Sequence, residues 1–180
     1  MVESKLIEYL SELVAINSVN PNLSDQGQGE KEIAEYIHSH FKKLGFDSHI
    51  FEVAKDRCNT TSFIAGKKSS KVLLMNGHID TVGIEDMDSP FILRQDGDRL
   101  YGRGAYDMLA GCAIQMCLAD FFSVNENPIS LVFTFVCDEE DKSIGMDHLV
   151  SHFLPTLPTR PFLGIFMEPT EEELKKFNSK

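Results

Sequence analysis

Three short apolar runs, each ending in polar, chemistry-bearing residues, narrow the possible folds of this chain more than any other feature. Val72-Leu73-Leu74-Met75 leads into Asn76-Gly77-His78-Ile79-Asp80. Ile129–Cys137 leads into Asp138-Glu139-Glu140, and Leu163–Met167 leads into Glu168. Strands that are apolar throughout are buried on both faces, as in sheets covered by helices. In open α/β sheets the chemistry collects beyond the carboxyl ends of such strands.

The segments between these runs supply the covering helices. Leu6, Leu10, Leu13 and Val14 recur at helical spacing and predict a helix over Glu3–Ala15. Ile33, Ala34, Ile37, Phe41 and Leu44 mark a second helix over Glu30–Leu44. Met108–Phe122 is apolar on most faces and predicts a helix buried against the sheet, and Ser143–Phe153 predicts one more. Between the first two helices, Ile16–Gly29 is dense in Asn, Ser, Pro, Asp and Gly and reads as a loop. Shorter strands are expected at Phe46–Val53 and Thr60–Ala65, and a small pair at Phe91–Arg94 and Arg99–Tyr101. The polar residues from Glu171 to Lys180 are expected to fray. The fold expected is α/β, a three-layer sandwich with a mainly parallel central sheet. A length of 180 residues suits one domain.

Charge and composition exclude some classes of function. A net charge of −11 argues against nucleic acid, whose binding relies on Lys and Arg neutralising phosphates. No apolar run approaches the ~20 residues that cross a bilayer, so no membrane partner is expected. The start MVESKLIEYL lacks the apolar block of a secretory signal, which makes a cytoplasmic protein the expectation. Cys58, Cys112, Cys117 and Cys137 form no CxxC and read as reduced, buried core thiols.

The candidate site residues are His78, Asp80, Asp107, Glu139, Glu140 and Glu168. One imidazole with several carboxylates is a nitrogen and oxygen ligand set, suited to Zn²⁺, Mn²⁺ or Co²⁺. Asp107 follows the glycine-hinged GRGAY and precedes a helix, whose free N–H groups would hold its carboxylate ionised. From there it can bridge two ions about 3.5–4 Å apart. Asp80 is placed to bond the second ring nitrogen of His78 and fix its tautomer. Glu139 and Glu140 can divide their labour, one on metal and one as a general base toward water. His148 and His152 are four apart, but no Glu follows His148 directly as HExxH requires, and they read as surface residues. GRGAYD misses the third glycine of a dinucleotide fingerprint, so no such cofactor is expected.

Four motifs in order carry a family resemblance: GHIDTV at Gly77–Val82, GRGAYDMLAG at Gly102–Gly111, DEE at Asp138–Glu140, and EPT at Glu168–Thr170. Together they resemble the superfamily of aminoacylases, acetylornithine deacetylase, succinyl-diaminopimelate desuccinylase and glutamate carboxypeptidase. The resemblance implies a phosphorylase/hydrolase-like zinc-peptidase catalytic domain holding two divalent ions, zinc foremost, with cobalt or manganese as alternatives. It implies His78 on one ion, Asp107 as the bridge, Glu140 on the other ion and Glu168 as the partner of His78. Glu139 would be the general base and Asp80 the aspartate beside the metal-bound histidine. The reaction implied is hydrolysis of an amide in an N-acyl amino acid or small peptide.

Two departures from the family pattern bear on these expectations. Leu109 stands where the family's Asp-Met-Lys has its lysine. Family members also continue past EPT into a lid domain that mediates dimerisation, then return with a last histidine ligand. Residues 1–180 are therefore expected to form the N-terminal portion of the catalytic domain, without lid or C-terminal segment and with an incomplete second metal site. The rival expectation is a catalytically incompetent fragment that keeps partial metal binding or acts through a partner chain.

Overall fold

Parallel pairing of the apolar runs organises the protein. The computed structural model describes residues 2–68, 70–85 and 87–170. The segment expected to fray, 171–180, lies outside the described residues. The element order is α1 (Val2–Ala15), α2 (Lys31–Lys43), β1 (Asp47–Ala54), β2 (Arg57–Ile64), β3 (Val72–His78), β4 (Arg94–Asp96), β5 (Arg99–Tyr101), α3 (Leu109–Val124), β6 (Ser130–Val136), α4 (Ile144–His148) and β7 (Leu163–Phe166). The main sheet has five strands in the order β1-β2-β6-β3-β7, and β4 and β5 form a separate ribbon. β3 runs parallel to β6 and to β7, while β1, β2 and β6 pair antiparallel. The sheet is thus mixed, its parallel half built from the three apolar runs. The antiparallel half is a hairpin, because only Lys55 and Asp56 separate β1 from β2.

Alternation along the strands divides the core between two faces. Met75, Leu131, Phe133 and Phe135 face α1, α2 and α3, where they meet Leu13, Ile33, Ile37, Phe41, Cys112 and Met116. Phe41 sits 5.1–5.6 Å, ring centre to ring centre, from Phe46, Phe133 and Phe135. Such pairs add about 0.5–1.5 kcal/mol each beyond the area they bury. Val72, Leu74, Val132 and Val136 face the opposite way and pack on Leu149 and Phe153. Three layers result, as expected, with a thin second helical layer.

That second layer corrects one expectation. The helix predicted over Ser143–Phe153 is α4, of five residues, followed by a π turn at Leu149–Phe153 and a 3-10 turn at Leu154–Thr156. Leu149 and Phe153 both pack on the sheet, and Pro155 lies within the 3-10 turn that closes the run at Thr156. His148 and His152 stack on each other with ring centres 4.9 Å apart, and His148 also packs on Phe51. His152 is exposed, as expected, while His148 is half-buried in this packing.

The cysteines are free, and Cys58, Cys112 and Cys137 are buried. Among the described residues, no helix is long and apolar enough to cross a membrane.

His40 provides a test of the helical layer. It packs edge-on against Tyr9 and Phe41, with Asp120 3.5 Å from Nε2. Burial lowers its pKa below the ordinary value of 6.5, against the pull of Asp120. The unfolded chain therefore takes up this proton at higher pH than the folded one. Stability from this site is full above the ordinary value and lost as pH falls below it. His40→Gln is expected to flatten the loss of Tm between about pH 7.5 and pH 5.5, measured by thermal melts of both proteins.

Candidate metal centre

Register brings the candidate residues to one edge of the sheet. His78 is the last residue of β3 and pairs with Val136, so the turn after β6 begins beside it. Asn76 pairs with Phe166, and the Met167 N–H bonds the Asn76 carbonyl at 2.9 Å. Two residues further along both strands, His78 and Glu168 come level. Helix α3 backs this edge closely. A Cβ on Gly111 would stand 2.6 Å from the Met167 carbonyl oxygen, so only glycine lets the helix approach the residue before Glu168.

The imidazole of His78 is buried and points Nε2 toward the carboxylates. Asp107 Oδ1 lies 3.0 Å from it, Glu139 Oε2 3.8 Å and Glu168 Oε2 3.9 Å. His78, Asp107 and Glu140 each offer one donor atom, and these atoms lie within 4.8 Å of one another. On the other side of the ring, Nδ1 is 3.0 Å from the main-chain carbonyl of Asp80 and 3.4 Å from its carboxylate. The main-chain oxygen, rather than the expected side chain, is the nearer partner.

The Asp80 carboxylate instead holds the next turn. It accepts the N–H of Glu139 at 2.9 Å and that of Glu140 at 3.1 Å. Asp138, with φ of 61°, makes the sharp bend that aims both N–H groups at Asp80. Asp107 departs from expectation in another way. Met108, not Asp107, is the N-cap residue of α3, and the first helical N–H, that of Leu109, bonds Gly104 at 2.8 Å. The helix end therefore does not hold the Asp107 carboxylate, which is half-exposed beside His78. Gly104 has φ of +73°, and a Cβ there would meet Thr81 at 2.5 Å, so the loop before Asp107 needs glycine. Leu109, in the place of the family lysine, is buried in the core.

Beneath this rim lies a buried polar layer that sequence reasoning missed. Arg57 forks onto Glu30 at 2.6 and 2.7 Å and reaches Asp138 at 2.7 Å. The Asn20 amide donates to Asp80 at 2.9 Å and to Asp138 at 3.0 Å. Glu30, Asn20, Asp80 and Asp138 are fully buried and Arg57 nearly so. Arg57 lies between the two strands expected from sequence, and its partners lie 27 and 81 positions away, so no local signal marked it.

The electrostatics suit a cation. Burial raises Glu140 to about 7, with Asp107, Asp80 and Glu139 adding repulsion against the pull of His78. Glu168 is raised for the same reasons. Burial disfavours protonated His78, yet Asp80, Glu168 and Asp107 outweigh it and raise the ring to about 9. Burial also works against the Asp80 carboxylate, but His78, Asn20 and the Glu139 N–H keep it below the ordinary range. A divalent ion among these groups would relieve the repulsion, and the nitrogen and oxygen donors fit one.

Comparison with known proteins gives the family and the fold. The profile of peptidase family M20/M25/M40 matches residues 74–180. The chain belongs to this family. It is 28% identical over 145 residues to a probable succinyl-diaminopimelate desuccinylase of Staphylococcus aureus, covering 78% of this chain and 33% of that protein. It is 27% identical over 167 residues to acetylornithine deacetylase of Vibrio campbellii, covering 91% of this chain and 43% of that protein. This M20-family chain thus spans less than half the length of the curated relatives it matches. Its fold superposes on human carnosine dipeptidase 1 with a TM-score of 0.79 at 16% identity, over 91% of this chain and 38% of that one.

Arg57 tests the buried layer. Arg57→Met leaves Glu30 and Asp138 buried without their cation and is expected to cost about 3–5 kcal/mol in urea unfolding. Arg57→Lys keeps the charge but loses the fork, and should recover only part of that loss.

Proposed function

We propose that this chain carries the metal-binding face of a hydrolase that cleaves amide bonds in N-acyl amino acids or small peptides. The observation that supports it most is the convergence of His78, Asp107 and Glu140 within 4.8 Å, at the carboxyl ends of parallel strands. His78, Asp107, Glu140 and Glu168 are the residues that would hold two divalent ions, zinc foremost. When bound, such ions polarise the substrate carbonyl and lower the pKa of water to about 7.

The chain's own residues then have separate tasks. Asp80, with its main-chain oxygen on Nδ1, keeps that nitrogen as the donor and leaves Nε2 free to bind metal. Glu139 has its N–H tied to Asp80 while its carboxylate stays half-exposed, 3.8 Å from His78 Nε2. It is the proposed general base, taking a proton from attacking water and delivering it to the leaving amine. Glu140, with its N–H on the same carboxylate, is held apart for metal. The names of the desuccinylase and deacetylase relatives support acylated amino acids as the substrates to try first.

The test is metal content by elemental analysis together with turnover on N-acetyl-ornithine, N-succinyl amino acids and dipeptides, with Zn²⁺, Co²⁺ or Mn²⁺ supplied. Glu139→Gln is expected to bind metal as wild type does but to lower kcat about 100- to 10,000-fold. Metal uptake with no turnover on any of these substrates would sink the hydrolase reading.

A further inference from the structure

We infer that Asn20 is a positioning residue of the metal centre: its one side-chain amide, buried between Asp80 and Asp138, sets the strand end bearing His78 against the turn bearing Glu139 and Glu140. The inference rests on the metal-hydrolase reading and adds to it a residue from a loop that bears none of the ligands.

The geometry leaves the amide one way to sit. Nδ2 donates to Asp80 Oδ2 at 2.9 Å and to Asp138 Oδ1 at 3.0 Å, so each of its two protons serves one carboxylate. Oδ1 accepts the Asn22 N–H at 3.0 Å, which fixes the orientation of the amide. A flipped amide would turn oxygen onto two carboxylates. The backbone is tied as well: Asn20 N–H bonds the Thr81 carbonyl at 2.8 Å, and Thr81 N–H bonds Ser18 at 3.1 Å. These bonds make an isolated parallel bridge between Val19 and Thr81, just past the end of β3.

The same layer is anchored from behind. Asp138 Oδ1, which Asn20 contacts, also receives Arg57 at 2.7 Å, and the Asp138 N–H bonds Glu30 at 3.2 Å. Asp138 is thereby fixed to the start of β2 and the residue before α2, and Asp80 is fixed to the end of β3. Two carboxylates that share one amide are close enough to repel strongly in a buried, low-dielectric place. Removing the donor leaves both short of a partner, and the pair relaxes by moving apart. Because Asp80 also holds the Glu139 and Glu140 N–H groups, that movement shifts the carboxylates of the turn relative to His78 Nε2.

Asn20→Leu keeps the branched shape and heavy-atom count and removes both donors. Asn20→Ser keeps one hydroxyl proton, enough for one carboxylate only. Metal-free full-length protein is titrated with Zn²⁺ against a chromophoric chelator, and with Co²⁺ while its visible absorption is followed. Asn20→Leu is expected to bind Zn²⁺ about 10- to 100-fold more weakly than wild type and to alter the Co²⁺ spectrum, with Asn20→Ser between the two.

Ser62→Ala is the control. It removes a buried hydrogen bond to Ser48 elsewhere in the sheet and should lower Tm while leaving Zn²⁺ affinity unchanged. Zn²⁺ affinities of Asn20→Leu and Asn20→Ser within about twofold of wild type, whatever their Tm, would overturn the inference and leave the hydrolase reading standing. Equal weakening in Ser62→Ala would overturn it too, since general loosening would then suffice. If Asn20→Leu does not fold, Asn20→Ser decides alone. Wild type that takes up no Zn²⁺ or Co²⁺ would overturn the metal-hydrolase reading itself, and this inference with it.

Discussion

Parallel pairing of β3 with β6 on one side and β7 on the other is the constraint on which the rest depends. Parallel strands end at the same edge, so a residue just past each strand is brought to a common place whatever its distance in sequence. His78, the turn from Asp138 to Glu140, and Glu168 meet for that reason. Burial holds the β3–β6 pair, whereas β7, at the sheet edge, is exposed along its length despite its apolar sequence. β6 is buried along its whole length and β3 nearly so, between α3 on one face and the Leu149–Phe153 turn on the other. A slip of one residue in either ladder would reverse which side chains face the helices and carry the edge residues out of reach.

So many carboxylates in one place require support, and it is arranged by depth. The side chains of Asp107, Glu139 and Glu168 stand at the rim, 53%, 44% and 42% exposed, where water moderates their repulsion. Asp80 and Asp138 lie below them with no exposure at all. There each carboxylate accepts backbone N–H groups or side-chain donors, which replace the lost hydration. Arg57 brings a buried positive charge to this floor. The floor is thus stiff and satisfied, and the rim is left under-compensated and open to a cation.

The legible parts of the sequence were those governed by short-range pattern. Helical spacing placed α1, α2 and α3 within about two residues of where they lie. Apolar runs located β3, β6 and β7, and the residues after them pointed to the edge where chemistry collects. The failures share one cause. Asp107 looked like a helix cap because it precedes a helix, but the Leu109 N–H turns back to Gly104 instead. Ser143–Phe153 had a helical pattern and is helical from Ile144, but its second half, where Leu149 and Phe153 pack on the sheet, is a π turn. Ile16–Gly29 was rich in breakers and is indeed a loop, yet Asn20 within it reaches two carboxylates 60 and 118 positions away.

By itself, then, the amino-acid order determined the family, the layered α/β architecture and the candidate site residues. These follow from hydrophobic period and from motifs whose members lie within a few positions of each other. Only the tertiary structure decided which groups meet. It put the His78 ring between the Asp80 carbonyl and three carboxylates, assigned the Asp80 side chain to the Glu139 and Glu140 N–H groups, and assembled Glu30, Arg57, Asp138 and Asn20 into one buried layer. The physical reason is that a hydrogen bond or ion pair between distant residues leaves no period in the sequence. It exists only after apolar burial has brought the strand ends together and removed the water that would otherwise have satisfied those groups.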